Sequence, residues 1–424
     1  MPTELLITLV SLIALIVAAT FLINSVRKDR VKQEVTPQDP PRLPFPLHVH
    51  YTWPNAHPDH IDQAGQDKLV QDAYQQWKAA FVLPDAEPGR SFLRMGVEKR
   101  WLRYRILVTA EGQGYAMLCS VLMAGANPAA QATFDRLYAY CKAHPSQRSM
   151  HLMSWQVTAE TFPSQALGSS SHADMLIAYA LLMADCQWGS KGRVDYLNAA
   201  KTIISALKEQ CIHPSSHHVL QGNFVDETME VEYDTTSSGA VSPLIFDAFG
   251  RATSDPTWKK VSSRMLQLLK KSMQAEKMTL AFPPDVILVE TQSEPDEDEV
   301  FGAESSSVLL HLALASLLSD HKDATAFLQN INQVILNASQ GDLAKISAFY
   351  ALDGEPKTEE TDPAMQSFCM VAAAGSGNSQ AWLNSLWDQV ASQTPNRQDP
   401  FGSTIRLLSM LLVSQNWWNL HARK

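Results

Sequence analysis

From Ile61 to the C-terminus, apolar residues return every three to four positions in one segment after another, and this repetition restricts the fold to a succession of helices. The spacing predicts helices near residues 64–83, 110–124, 127–144, 171–187, 192–211, 239–251, 255–274, 302–319, 322–338, 362–374, 378–392 and 400–421. Within 174–188, Leu176, Ile177, Ala180, Leu181 and Ala184 follow the 3.6-residue period and form one buried stripe. Stop signals separate neighbours: Gly125-Ala126-Asn127-Pro128, Gly189-Ser190-Lys191-Gly192 and Ser254-Asp255-Pro256. Short extended pieces are predicted at Tyr104–Thr109, His218–Phe224 and Val286–Glu290. The expected fold class is all-α, with about twelve helices stacked as pairs and few short strands. Six pairs closed into a ring make an (α/α)6 toroid with one end open as a cleft. Periodicity supports the helices and leaves ring closure open.

The N-terminus is of another kind. Leu5 to Val26 is an uncharged apolar run of about 22 residues, long enough to cross a ~30 Å hydrocarbon core. No positive segment precedes it, which favours a single uncleaved transmembrane anchor over a signal peptide. Residues 1–32 are therefore read as anchor and basic flank, 33–60 as a proline-rich spacer, and 61–424 as the globular domain. The histidines of the spacer, His48, His50, His57 and His60, have no metal-site spacing and are expected to be solvated. Orientation is contested. Arg27, Lys28, Arg30 and Lys32 after the span favour a cytoplasmic domain, while the substrate inferred below would lie outside the cell.

A net charge of −10 argues against nucleic acid as a partner and suits a neutral or cationic ligand. Cys119, Cys141, Cys186, Cys211 and Cys369 show no CxxC spacing and fall mostly in apolar helical stretches. They are expected to be buried free thiols, with no metal or cofactor bound.

The chemistry concentrates in two stretches. Glu111 follows the extended Tyr104–Thr109 run and stands at the start of a helix, among unsatisfied backbone N–H groups and beside Gly112 and Gly114. Thr109-Ala110-Glu111-Gly112-Gln113-Gly114-Tyr115-Ala116-Met117 resembles the T-x-S-E-G-Q-G-Y-G-M signature of glycoside hydrolase family 8. Leu152-Met153-Ser154-Trp155 is similar to the family's L-M-x-W segment, and Ser170 to Leu181 to its A-[ST]-D-A-D-x-x-I-A-x-A-L helix. Asp185–Trp188 and Thr253–Trp258 are similar to later segments. The resemblance runs from about Leu69 to the C-terminus. It implies an (α/α)6 barrel that cleaves internal β-1,4 bonds with inversion, using an acid and a base ~6.5–9.5 Å apart. Glu111 matches the acid. Burial under Trp155 and Tyr115 would keep it protonated. The flat rings of both residues suit sugar stacking, with core packing an equal alternative for Trp155. Gln113, His172 and Asp174 are the other implied substrate contacts, Asp174 in a more structural role.

Several positions depart from the family pattern. The base segment G-Y-D-A-x-R is matched by Gly302-Ala303-Glu304-Ser305-Ser306-Ser307, so Glu304 takes the base position, Ser307 replaces an arginine, and Ala303 replaces an aromatic. Ser237-Ser238-Gly239-Ala240 replaces N-P-S-Y, and His172 replaces the first aspartate of A-[ST]-D-A-D. Glu304 is one methylene longer than aspartate, a displacement of about 1 Å that can cost ~10²-fold in rate. Near Glu304, His172 would be open to protonation and would lower the base's pKa. Glu294 to Glu299 form an acidic run, read as a solvated loop or, more sharply, as a rim for a cationic amino-sugar polymer.

The expected function is a membrane-anchored glycoside hydrolase acting on a cellulose-like or other exopolysaccharide. The expected partners are the polysaccharide, the membrane and an exopolysaccharide synthase complex. The alternative is a glycan-binding module of the same fold that has lost turnover.

Overall fold

Alternate helices of this chain are buried on most of their faces, and the residues between those faces are small. In the computed structural model the twelve long helices are α1 (Gln63–Phe81), α2 (Ala110–Leu122), α3 (Ala130–Ala143), α4 (Ser171–Trp188), α5 (Tyr196–Cys211), α6 (Pro243–Thr253), α7 (Thr257–Ser272), α8 (Ser307–Ser319), α9 (Lys322–Ser339), α10 (Pro363–Ser376), α11 (Gln380–Ser392) and α12 (Pro400–Val413). One further helical turn spans Glu230–Tyr233. The structure describes residues 40–100, 103–158, 168–274, 280–289, 299–303 and 305–420. The expected anchor Leu5–Val26, its basic flank, most of the acidic run and Glu304 lie outside the described residues. Among the described residues no helix is long and apolar enough to cross a membrane.

The even-numbered helices form the inner wall. Helix α2 packs on α4, α4 on α6, α6 on α8, α8 on α10, α10 on α12, and α12 on α2, so the ring closes. Periodicity alone had left that closure open. Each odd-numbered helix lies outside and buries one stripe, as α7 does with Trp258, Val261, Met265, Leu268 and Leu269. Close approach inside the ring depends on glycine. A Cβ on Gly114 of α2 would come within 2.7 Å of Leu176 Cβ on α4, and one on Gly375 of α10 within 3.2 Å of the Ala313 Cα on α8.

Outer-to-inner connections carry the strands. β1 (Val82–Pro84) pairs with β2 (Ser91–Leu93), and β3 (Gly96–Arg100), β4 (Arg103–Thr109) and β7 (Gln156–Thr158) form an antiparallel sheet in the order β3-β4-β7. β5 (Pro145–Ser146) pairs with β6 (Ser149–Met153), β8 (Thr235–Ser237) with β9 (Val286–Leu288), and β10 (Val300–Phe301) with β11 (Tyr350–Ala351). Two expected extended pieces, Tyr104–Thr109 and Val286–Glu290, correspond to β4 and β9. The third does not: His218–Phe224 holds only an isolated bridge between Ile212 and Val219. Helix boundaries moved where local chemistry competes. The helix expected from 302 starts at Ser307, because the Ser305 and Ser306 hydroxyls turn back to donate to the Gly302 carbonyl. The last helix stops at Val413 rather than 421, followed by Gln415 at φ 63°.

The spacer expectation is corrected for residues 41–60, which lie against the barrel as a strap. The Phe45 N–H donates to the Ala124 carbonyl beyond α2, and Gln187 at the end of α4 exchanges hydrogen bonds with the Leu43 backbone. The Thr52 N–H donates to Leu317 in α8, the Asn55 amide to Gly377 beyond α10, and the Tyr51 hydroxyl to Trp417 beyond α12. The strap therefore crosses the C-terminal ends of five inner helices and buries Phe45, Tyr51 and Ala56. Two of the four histidines expected to be solvated fasten it: His48 to Asp67 at 2.7 Å and His60 to Asp388 at 2.8 Å. Proline content reads as a spacer, but the alternating apolar residues Leu43, Phe45, Leu47, Val49 and Tyr51 are what dock.

The five cysteines are free thiols, with Cys186 partly exposed and the other four buried.

Candidate active site

With the strap across the C-terminal ends, the open mouth belongs to the inner helices' N-termini. Helix α2 begins where β4 ends, and the Thr109 hydroxyl caps it by accepting from the Gly112 N–H at 3.1 Å. Glu111 is in this first turn, where unpaired N–H groups and the helix dipole favour an acid. Its side chain is 32% exposed. Tyr115, one turn further on, is wholly buried, so it is not a platform for sugar; its hydroxyl lies beside the Glu111 carboxyl, and burial followed by that neighbour holds the phenol well above its ordinary value. Its ring packs edge-on to His172, at 6.4 Å between centroids.

The contact between α2 and α4 at Gly114 brings His172 to Glu111, with Nδ1 3.4 Å from Oε1. The other ring nitrogen, Nε2, shares a hydrogen bond of 2.8 Å with Nε2 of His311 on α8. Burial pushes the His172 imidazole down to about 4, and burial followed by the neighbouring His172 pushes His311 well below its ordinary value. Both rings are neutral at neutral pH. The sequence left His172 open to protonation near Glu304, which lies outside the described residues; among those described its neighbours are Glu111, Tyr115 and His311, and burial disfavours the charged form.

Asp174 faces inward from the same helix and is buried. Its Oδ1 accepts the Met153 N–H at 2.9 Å, tying α4 to the end of β6. Burial raises its carboxyl to about 8, opposed by the Met153 N–H and the Ser169 hydroxyl. Asp174 is thus a strut for the strand that leads to Trp155, not a contact for substrate. Gln113 is also a strut. It is fully buried, its Oε1 accepts the Leu93 N–H at 2.6 Å, and its amide donates to the Leu137 carbonyl at 3.2 Å.

Trp155 is 47% exposed, which removes core packing as its explanation. Its carbonyl accepts the Ala110 N–H at 2.9 Å and its own N–H donates to Gly168, fixing it beside the residue that precedes Glu111. Phe349 is equally exposed and escaped the sequence reading. It packs over Gly302, whose Cβ would meet the ring at 2.9 Å. In the ring order Trp155 precedes α4 and Phe349 precedes α10, so the two rings border opposite sides of the mouth.

Glu304 lies outside the described residues, but its flanks bear on the site. Ser307 begins α8, and a Cβ on Gly239 would come within 2.7 Å of the Ser307 hydroxyl. The two departures from the family pattern, serine for arginine and Ser238-Gly239-Ala240 for P-S-Y, therefore pack together as one change of volume. His311, one turn further along α8, was also missed. Its signal was present: it is the one ionisable residue in the apolar run Ser307–Ser319.

A cavity of about 790 Å³ lies elsewhere, at the C-terminal end of α5, lined by residues including Arg148, Lys208, His213, Asp226 and Tyr233; Glu111, His172 and Trp155 do not border it.

The model of the family described as "Glycosyl hydrolases family 8" matches residues 61–415. A beta-glucanase of Niallia circulans is 29% identical over 89% of this chain and 92% of its own length. An endoglucanase of Bacillus sp. (strain KSM-330) is 26% identical over 88% and 81%. Among solved structures, the apo beta-1,3-1,4-glucanase of Paenibacillus sp. X4 superposes with a TM-score of 0.81 at 28% identity, over 89% of this chain and all of the other. A cold-adapted family 8 xylanase, at 16% identity and a TM-score of 0.68, shares the fold. Closed helical ring, acid-bearing helix start and a match across nearly the whole globular part agree, and the chain belongs to glycosyl hydrolase family 8, a family of O-glycosyl hydrolases.

Proposed function

We propose that this glycoside hydrolase cleaves internal β-1,4 bonds of a β-glucan by inversion, with Glu111 as general acid and Glu304 as base. The observation that carries the reading is Glu111 in the first turn of α2, partly exposed at the mouth and beside the exposed ring of Trp155. Helices α2 and α8 stand opposite each other in the six-membered inner ring, so chain segments at their N-termini face across the mouth. This supports a reading with the acid on one side of the bond and a water-activating base on the other, as inversion requires. The relatives' printed names, beta-glucanase and endoglucanase, favour a neutral glucan over an amino-sugar polymer. The apolar run Leu5–Val26 is proposed as an anchor that holds the domain at the membrane, on the side where polysaccharide accumulates and within reach of a synthase.

The test is release of reducing ends from barley β-glucan and carboxymethylcellulose by the full chain. Glu111→Gln should lose at least ~10³-fold in kcat, since removing a proton donor from a poor leaving group costs about that much. Full rate in that variant would refute the assignment. Glycan binding without product would instead favour a binding module. Protease protection of the domain in sealed vesicles would test the proposed side of the membrane.

A further inference from the structure

The pair of neutral imidazoles between α4 and α8 has only two ways to share its protons. Each ring carries one, and the 2.8 Å contact between the two Nε2 atoms needs one N–H and one lone pair. In the first arrangement His311 Nε2–H donates, and the His172 proton sits on Nδ1, 3.4 Å from Glu111 Oε1. In the second, His172 donates through Nε2. Its bare Nδ1 then faces a carboxyl oxygen, and the His311 proton sits on Nδ1. That atom is buried and, among the described residues, has no hydrogen-bond partner. The second arrangement therefore buries an orphaned N–H and sets two lone pairs against each other whenever Glu111 is ionised. The first leaves only one bare lone pair, the smaller loss.

We propose that His311 is a positioning residue for the general acid: its hydrogen bond holds the His172 proton on Nδ1, facing Oε1 of Glu111, and so keeps the acid's own proton on Oε2. This inference rests on Glu111 being the acid. The consequence is directional. With an N–H 3.4 Å from Oε1 and the Tyr115 hydroxyl also beside the carboxyl, the transferable proton is favoured on the oxygen that points away from α4. Once it has gone to the leaving oxygen, the new carboxylate is met at Oε1 by a donor already in place. Such an interaction strengthens as charge develops on Glu111, so it acts on kcat more than on KM. Among the described residues, Glu111 and Tyr115 from α2 and His311 from α8 are the titratable groups that face His172.

The decisive readout is the ¹⁵N spectrum of the full chain with labelled histidine, which separates the two imidazole tautomers. His172 is expected as the Nδ1–H tautomer at pH 7, and the Nε2–H tautomer in the unmodified protein would overturn the proposal without any variant. His311→Leu is expected to lower kcat about 10- to 100-fold with KM within about twofold, and to mix the His172 tautomers. His311→Gln, whose amide nitrogen reaches nearly as far as Nε2, should recover most of the rate. If His311→Leu does not fold, the Gln variant and the unmodified spectrum still decide. Unchanged kcat and an unchanged tautomer in a folded Leu variant would refute positioning. Full activity in Glu111→Gln would instead refute the acid assignment and leave the tautomer result standing on its own.

Discussion

Asp174→Asn separates the structural role of this carboxyl from a catalytic one. In the folded protein burial raises the Asp174 carboxyl to about 8. In the unfolded chain it titrates near ~4. Below the lower value both states hold the proton, and acid and amide should be equally stable. As pH rises between the two values the unfolded chain releases a proton that the folded chain retains, so the native protein loses stability with pH. Above about 8 the penalty is complete, on the order of several kcal/mol at ~1.4 kcal/mol per unit. Asparagine keeps the shape, its Oδ1 still accepts the Met153 N–H, and it carries no charge at any pH. The advantage of the variant should therefore be near zero at pH 4 and several kcal/mol at pH 8.5, measured as urea midpoints of both proteins at each pH. Activity should stay within a few fold, because Asp174 braces β6 and does not reach the mouth. A difference that does not change with pH would refute the reasoning. So would greater stability of the unmodified protein above pH 8, which would mean that the Met153 N–H and the Ser169 hydroxyl hold the carboxylate ionised.

Trp155→Ala should raise KM about tenfold with little change in kcat or melting temperature. Covering one ring face removes about 60 Å² of apolar surface from water, worth roughly 1.5 kcal/mol, and the residue is already 47% exposed in the fold. Gln113→Met should cost about 2–4 kcal/mol in a denaturant titration with KM unchanged, since it strands the Leu93 N–H and the Leu137 carbonyl. Phe45→Ala should cost about 3–5 kcal/mol, as for other buried phenylalanines. A protein starting at residue 61 should melt well below one starting at 40. Equal melting of those two would show that the strap contributes nothing to the barrel.

The helical succession was legible because each stripe needs a partner of the same period, and all twelve expected segments correspond to helices. Glu111 stood out through the Thr109–Met117 resemblance to the family motif, since its position at a helix start is by itself the ordinary place for an acidic residue. The strap was not. Its prolines argue for extension, and extension is what it has, but no local rule says whether an extended segment docks. Gln113 and Tyr115 were misread for a related reason. Membership of a motif does not tell which side of the helix a residue occupies, and both point into the core while Glu111 points to the mouth. His311 went unnoticed because its partner is 139 positions away, a relation that periodicity cannot carry. Ser307 and Gly239 looked like two separate losses until the fold set one against the other.

The direction of the inner helices bears on the neutral pair of histidines beside Glu111. The strap meets the C-terminal ends of α2, α4, α8, α10 and α12, so the partial positive charges of those helices converge at the mouth. Carboxylates gather there: Asp362 and Asp399 cap α10 and α12, and Asp399 is raised by burial, opposed by the Gly402 N–H and helped by the charge of Asp362. The same field that suits a base works against the proposed acid role, because partial positive charge favours a carboxylate over a carboxylic acid. A cation at position 172 would add to that field 3.4 Å from Glu111 and work against the proposed acid role. A neutral imidazole brings its N–H dipole near the carboxyl without the charge, and burial against Tyr115 and His311 is what keeps it neutral. If Glu111 is the acid as proposed, the replacement of an aspartate by histidine in the family motif is compatible with that role because burial keeps His172 neutral, while His311 from α8 shares its proton.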